Sequence, residues 1–156
     1  MKNLLLAVLL LFGLNSFAQV YDENIDGMKQ IQEAVAKAKK ENKQVLIQVG
    51  GNWCKYCIKL HNWINDDVFV KSTIDKYYVY IDVNYSNKNK NFEAMKFLRW
   101  PQRFPFPSLY IISNKGEVLH TQKITPLTTK NEYDTEKFIA FLKEWTVFKL
   151  DPKSYK

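Results

Sequence analysis

Cysteine is nearly absent from this chain, with two in 156 residues. A small secreted scaffold held by a disulfide framework needs several bridges, so that class is excluded. Cys54 and Cys57 enclose only two residues. So short a loop restricts the unfolded chain little, and stability is a poor reason for a bridge there. Glycine and proline are sparse, at five each, and no Pro/Gly linker, repeat or low-complexity run divides residues 20 to 150. One domain around one core is expected. A concentrated basic stripe is missing as well. The net charge is +7, but the lysines are spread singly apart from loose clusters at KAKKENK and NKNKN. They read as solvated helix and loop faces, and no nucleic-acid partner is expected.

A membrane-spanning run is also lacking. The apolar stretch from Leu4 to Leu14 in MKNLLLAVLLLFGLNSFAQ is about 11 residues, too short to cross a bilayer as a helix. It follows a lysine and precedes Ser16 and Ala18, spaced as a signal-peptidase site. Residues 1–18 are therefore expected to be a signal peptide cleaved after Ala18, with retention as an anchor as the alternative. The mature chain then lies outside the cytoplasm, with no membrane span after cleavage. No cysteine follows the leader, which excludes lipid attachment there.

What remains is rich in apolar and aromatic residues, at 46% and 15% of the chain, so a packed core is expected. Met28, Ile31, Val35 and Ala38 fall at helical spacing after Asp26. QVLIQVGG reads as a buried strand, CIKLHNWIND as a helix, and DDVFVKSTIDKY as a further helix capped by Asp66 or Asp67. YYVYIDV is a second strand, and FEAMKFLRW is a helix stopped by Pro101. PQRFPFP, with three prolines in seven residues, reads as irregular. SLYIIS and EVLHTQ form a hairpin through NKG, where Gly116 suits positive φ. ITPLTTKNEY is expected to be a loop, DTEKFIAFLKEW a closing helix, and residues 151–156 a frayed polar tail. Strands that first alternate with helices and then form a hairpin predict an α/β fold with a mixed central sheet and helices on both faces.

The motif GGNWCKYCIKLH then falls at the carboxyl end of the first strand and the start of a helix. A helix N-terminus offers unpaired N–H groups and partial positive charge, which stabilise a thiolate. Cys57 sits one turn further on the same face. Cys54, at the exposed end, is expected to attack; Cys57, more covered, to resolve the mixed disulfide. Lys55 adds positive charge if its side chain turns that way. Such a pair also suits metal, and His61 offers a third ligand. A structural zinc site wants a fourth, and the only other histidine is His120; His61 reads instead as a helix-surface residue, and no metal is expected. A c-type haem is excluded because Ile58, not histidine, follows Cys57.

Strand, NWCKYC, helix, then an X-Pro element before a β-hairpin resembles the thioredoxin fold over roughly residues 26 to 147. The nearest likeness is to extracytoplasmic thioredoxin-like proteins with an added N-terminal helix, including the C-terminal domain of the periplasmic electron transporter. Trp53 and FPSLYIISNKGEV match that pattern. The resemblance implies a three-layer α/β/α sandwich, with residues 19–150 as the domain. It implies a cis bond before Pro107, facing the cysteines, which leaves the backbone of Phe106 free to pair with an extended peptide and blocks metal ligation at the pair. Two departures stand out. Lys55-Tyr56 replaces the Gly-Pro of cytosolic thioredoxins, which leaves redox poise open. Gln48 occupies the position of a buried acid six residues before the first cysteine, and an amide accepts no proton usefully; its bland role is to face solvent or bond locally.

Trp53, Tyr56 and Phe106 are candidates for an apolar substrate rim, or for packing alone. The expectation is an extracytoplasmic, monomeric thiol–disulfide oxidoreductase. Its cofactor need is met by the Cys54–Cys57 disulfide alone, and its partners are protein substrates and a protein electron donor or acceptor. Reduction or isomerisation is preferred to oxidation. A client-binding module with little turnover and a metal carrier using Cys54, Cys57 and His61 are the alternatives.

Overall fold

The computed structural model describes residues 19–155; the expected signal peptide and its cleavage point after Ala18 lie outside them, apart from Gln19 on the far side of the cut. Helix α1 (Gly27–Glu41) begins where the Asp26 carboxylate accepts from the amides of Met28 and Lys29, and ends where Asn42 turns left-handed. Its buried stripe is Ile31, Ala34 and Ala38. Strand β1 (Gln44–Gly50) is buried along its whole length, as suits a strand flanked on both edges and covered on both faces. Helix α2 (Lys55–Asp66) and helix α3 (Val68–Tyr77) meet at Asp67, which ends one and caps the other through the amides of Phe69 and Val70.

Strand β2 (Tyr78–Asn84) runs parallel to β1, while β3 (Ser108–Ile112) pairs with β1 antiparallel and with β4 (Val118–Lys123) antiparallel. The order is β2-β1-β3-β4, the expected mixed sheet closed by a hairpin, and Gly116 turns that hairpin at a φ of 86°. Side chains alternate across the sheet. Val45, Ile47 and Val49 join Val79, Val83, Tyr110 and Ile112 in a core with Ile31, Ala34, Ala38 and Met95. Leu46, Leu109 and Ile111 join Leu60, Ile64, Val70, Ile74, Phe138 and Leu142 in the other. The layers are therefore α1 with α4 (Phe92–Phe97) on one face, and α2, α3 and α5 (Thr135–Glu144) on the other.

Several local expectations are corrected. Helix α4 ends before Pro101 acts, because Arg99 and Trp100 take positive φ. Pro101–Arg103 is a 3-10 turn rather than irregular chain. The stretch expected as a loop holds a two-residue ladder between β5 (Thr128–Thr129) and β6 (Glu132–Tyr133), turned by left-handed Lys130 and Asn131. The region before and through the polar tail carries a short helix α6 (Val147–Leu150), capped by Thr146, and a 3-10 turn at Pro152–Tyr155.

Candidate functional site

Strand β1 delivers the chain to Gly50 at the sheet's end, and Gly51-Asn52-Trp53 turns it into α2. Cys54 is the N-cap of α2, and its sulfur accepts from the Cys57 amide at 3.2 Å. This is the helix-end geometry that favours negative charge on sulfur. The two cysteines form a disulfide with Cα atoms 5.2 Å apart. The expected contrast in exposure is small in this oxidised form. Cys54 is 6% exposed and Cys57 0%, so Cys54 is nearly covered, not open. Phe106 packs against the cluster that the pair forms with Tyr21, together with Val20 and Ile58.

The Phe106–Pro107 peptide bond is cis, as the resemblance implied. Phe106 and Pro107 line a cleft of about 510 Å3 together with Tyr56, Lys59, Lys123 and Tyr133. Trp53 and Tyr56 are each 58% exposed. Trp53 meets Phe106 edge to face at 5.7 Å, and its indole N–H donates to the Tyr85 carbonyl at 2.7 Å. Its ring is thus anchored while its face stays open. The Lys55 ammonium lies 5.1 Å from the Tyr56 ring centre, so its side chain turns to that ring.

Gln48 does not face solvent; it is 0% exposed. Its Nε2 donates to the Cys57 carbonyl at 2.9 Å and to the Tyr21 hydroxyl. The Tyr80 hydroxyl lies 3.3 Å from Gln48 Oε1 and donates to Asp82 Oδ1 at 2.9 Å. The parallel register sets Gln48 beside Asp82, so alternation puts both on the α2 side of the sheet. His61 does not turn to the sulfurs as a metal ligand would; its Nδ1 bonds Asp82 Oδ2 at 2.8 Å, and the Asn65 amide reaches its Nε2 at 3.2 Å. The hydrogen bond to Asp82 holds the imidazole pKa above its ordinary value, against the opposing effect of burial. Burial pushes the Tyr21 and Tyr80 hydroxyls far up, with the Asp82 charge adding to both. Among the described residues no three His, Cys, Asp or Glu side chains gather as a metal-binding group.

Sequence reasoning missed Tyr21, Tyr80 and Asp82. Tyr21 is completely buried beside the disulfide, held there by its backbone, which exchanges hydrogen bonds with the Asn52 side chain at 3.1 and 2.7 Å. One signal for Asp82 was available: an acid inside an otherwise apolar strand needs a partner.

A model of the thioredoxin-like domain matches residues 31–137, and the chain belongs to that family. Among solved structures, a disulphide isomerase from Xylella fastidiosa Temecula1 superposes with a TM-score of 0.70 at 22% identity, covering 83% of this chain and 98% of that one. A protein described as DsbH oxidoreductase gives 0.57 at 21% identity, with coverage of 77% and 82%. A redox protein from Chlamydomonas reinhardtii gives 0.52 at 18% identity, covering 80% of this chain and 37% of that one. At these identities the likeness is one of fold. No curated protein matches the sequence. No helix among the described residues is long and apolar enough to cross a membrane.

Proposed function

We infer that the protein is a thiol–disulfide oxidoreductase that works on other proteins outside the cytoplasm. The observation that carries this reading is the position of the Cys54–Cys57 disulfide, at a helix N-terminus and beside an open aromatic cleft. In the reducing direction the Cys54 thiolate attacks one sulfur of a substrate disulfide. A Cys54–substrate bond forms, and the departing substrate sulfur takes a proton from water. The Cys57 thiolate then attacks Cys54 Sγ. The Cys54–Cys57 bond forms, the Cys54–substrate bond breaks, and the second substrate sulfur leaves as a thiolate. The substrate has gained two electrons and the protein has become the disulfide. A protein electron donor restores the dithiol, and no dissociable cofactor enters the cycle.

The cleft lined by Tyr56, Phe106 and Pro107 is suited to an extended peptide, and Trp53, in edge contact with Phe106 outside the cleft, adds exposed apolar surface. Lys59 and Lys123 at its border favour acidic or neutral segments over basic ones. Reduction or isomerisation is the preferred direction. The short apolar leader ending Ser-Phe-Ala supports export, with residues 19–150 as the working domain and the protein as a monomer. A client-binding module with slow turnover is the second reading, favoured by the amide of Gln48 where an acid would speed proton removal. Insulin reduction with dithiothreitol separates the two. The oxidoreductase turns insulin over and Cys54→Ala falls to the uncatalysed rate. Turnover that never exceeds that rate, with client binding intact, favours the module.

A further inference from the structure

Hydrogen-bond arithmetic beneath Cys57 leaves one proton unassigned. The Cys57 backbone carbonyl can only accept, so Gln48 must turn its NH2 toward it, at 2.9 Å. The other hydrogen of that NH2 goes to the Tyr21 oxygen. Gln48 Oε1 faces the Tyr80 hydroxyl, itself tied to Asp82 and through it to His61. The Cys57 carbonyl is what fixes the amide, because a hydroxyl such as Tyr21 or Tyr80 could face either its oxygen or its nitrogen. Tyr21 is then an acceptor toward Gln48, and its own O–H hydrogen must find a different partner. It donates no hydrogen bond to any other group among the described residues. A Cβ placed on Gly50 would lie 2.6 Å from Cys57 Sγ and 2.7 Å from the Tyr21 oxygen. The sulfur and the hydroxyl therefore press on the same small space, kept open by a glycine.

We propose that the Tyr21 hydroxyl is a hydrogen-bond donor to the Cys57 thiolate in the dithiol protein, oriented for that task by Gln48. This rests on the oxidoreductase reading and supplies the resolving sulfur with a partner where a buried acid is missing. In the disulfide the Cys57 sulfur is a weak acceptor and the hydroxyl has little to hold. On reduction the Cys57 thiol gives its proton to water, and the sulfur left behind carries a full charge, a far stronger acceptor. The groups facing Cys57 that can change charge are few: Cys54 on its own helix and Tyr21 from the leading segment. Beyond Gln48 stand Tyr80 and Asp82 of β2 and His61 of α2. With the neighbouring carboxylate bound to Tyr80 and His61, the tyrosine O–H is the donor left to offset the charge on sulfur. Tyr21 ordinarily stays protonated, since burial pushes its pKa up.

The test reads Cys57 alone, in Cys54→Ser protein, by the pH dependence of its 13Cβ resonance. Tyr21→Phe in that background is expected to raise the midpoint by about one unit, a tenfold loss of thiolate near neutrality. In the otherwise unaltered protein the same change slows resolution of a mixed disulfide about threefold, because the scarcer thiolate is the stronger nucleophile. A Cys57 midpoint unmoved by Tyr21→Phe overturns the proposal. A second measurement needs no change at Tyr21: the 13Cζ resonance of Tyr21 should inflect at the Cys57 midpoint, and a flat response overturns the proposal even where Tyr21→Phe folds poorly. Insulin turnover tests the oxidoreductase reading separately, since the titration is read in single-cysteine protein and reports on Cys57 whether or not insulin is reduced.

Discussion

The two sides of the Cys54–Cys57 disulfide are built on opposite principles. Above it lies a rim of large side chains with few fixed polar contacts: Trp53 and Tyr56, mostly exposed, and Phe106 along an open cleft. Below it lies a floor of polar groups bonded to one another, with Tyr21 and Gln48 buried and Tyr80, Asp82 and His61 partly so. The rim suits an adaptable contact with many chains, because aromatic surface needs no matching donor or acceptor. The floor suits one fixed arrangement, because each buried polar group left unpaired costs about 1–3 kcal/mol. The difference implies that rim changes alter substrate affinity, while floor changes alter stability and the chemistry of Cys57.

The largest effect expected from breaking the comparison is at Gly50. Its neighbours leave no room for a methyl group, with Cys57 Sγ and the Tyr21 hydroxyl both closer than a real Cβ contact. Gly50→Ala should destabilise by about 1–3 kcal/mol, seen as a lower urea midpoint, and should slow insulin reduction by displacing Cys57. A variant as stable as the parent would mean that the floor yields easily. On the rim, Tyr56→Ala should raise the KM for insulin several-fold and leave the unfolding free energy from urea titration within about 0.5 kcal/mol, as for an exposed position. Equal losses in both measurements would erase the distinction between rim and floor.

The smallest effect concerns the far end of the floor. His61 is raised in pKa mainly by its hydrogen bond to Asp82. A group whose folded pKa lies above its unfolded value, about 6.5 for histidine, stabilises the fold fully below that value. The contribution is lost as pH rises through the folded pKa. Stability measured by urea should therefore decline gently above about pH 6.5, and His61→Ala should remove that part of the slope. A slope of the same size in the variant would assign it to other groups.

Much of the fold was legible because its signals are local. Asp26 starts α1, Asp67, one of two candidates, caps α3, and Gly116 turns the hairpin, each by a property of the residue itself. The placement of Cys54 at a helix N-cap and the cis bond before Pro107 followed from the motif and the resemblance. The β5–β6 turn was missed because Lys130 and Asn131, with positive φ, replace the Asn-Gly pair that announces such a turn. The premature end of α4 was hidden likewise, since Arg99 and Trp100 are unusual residues for left-handed backbone. Tyr21 was illegible for another reason. It lies in a short stretch without periodicity, and its burial depends on Asn52, 31 residues away. Gln48 could be recognised as a departure, but not what surrounds it, because the register that brings Asp82 alongside is set by strand pairing across the sheet.

The central claim is that Cys54 attacks substrate and Cys57 resolves. It is tested most directly by trapping, with non-reducing electrophoresis and mass spectrometry of each single-cysteine variant after exposure to a disulfide-bonded protein. Cys57→Ala should accumulate a covalent adduct through Cys54 that dithiothreitol releases, and Cys54→Ala should accumulate almost none. Equal adducts from both variants, or none from Cys57→Ala, would contradict the account.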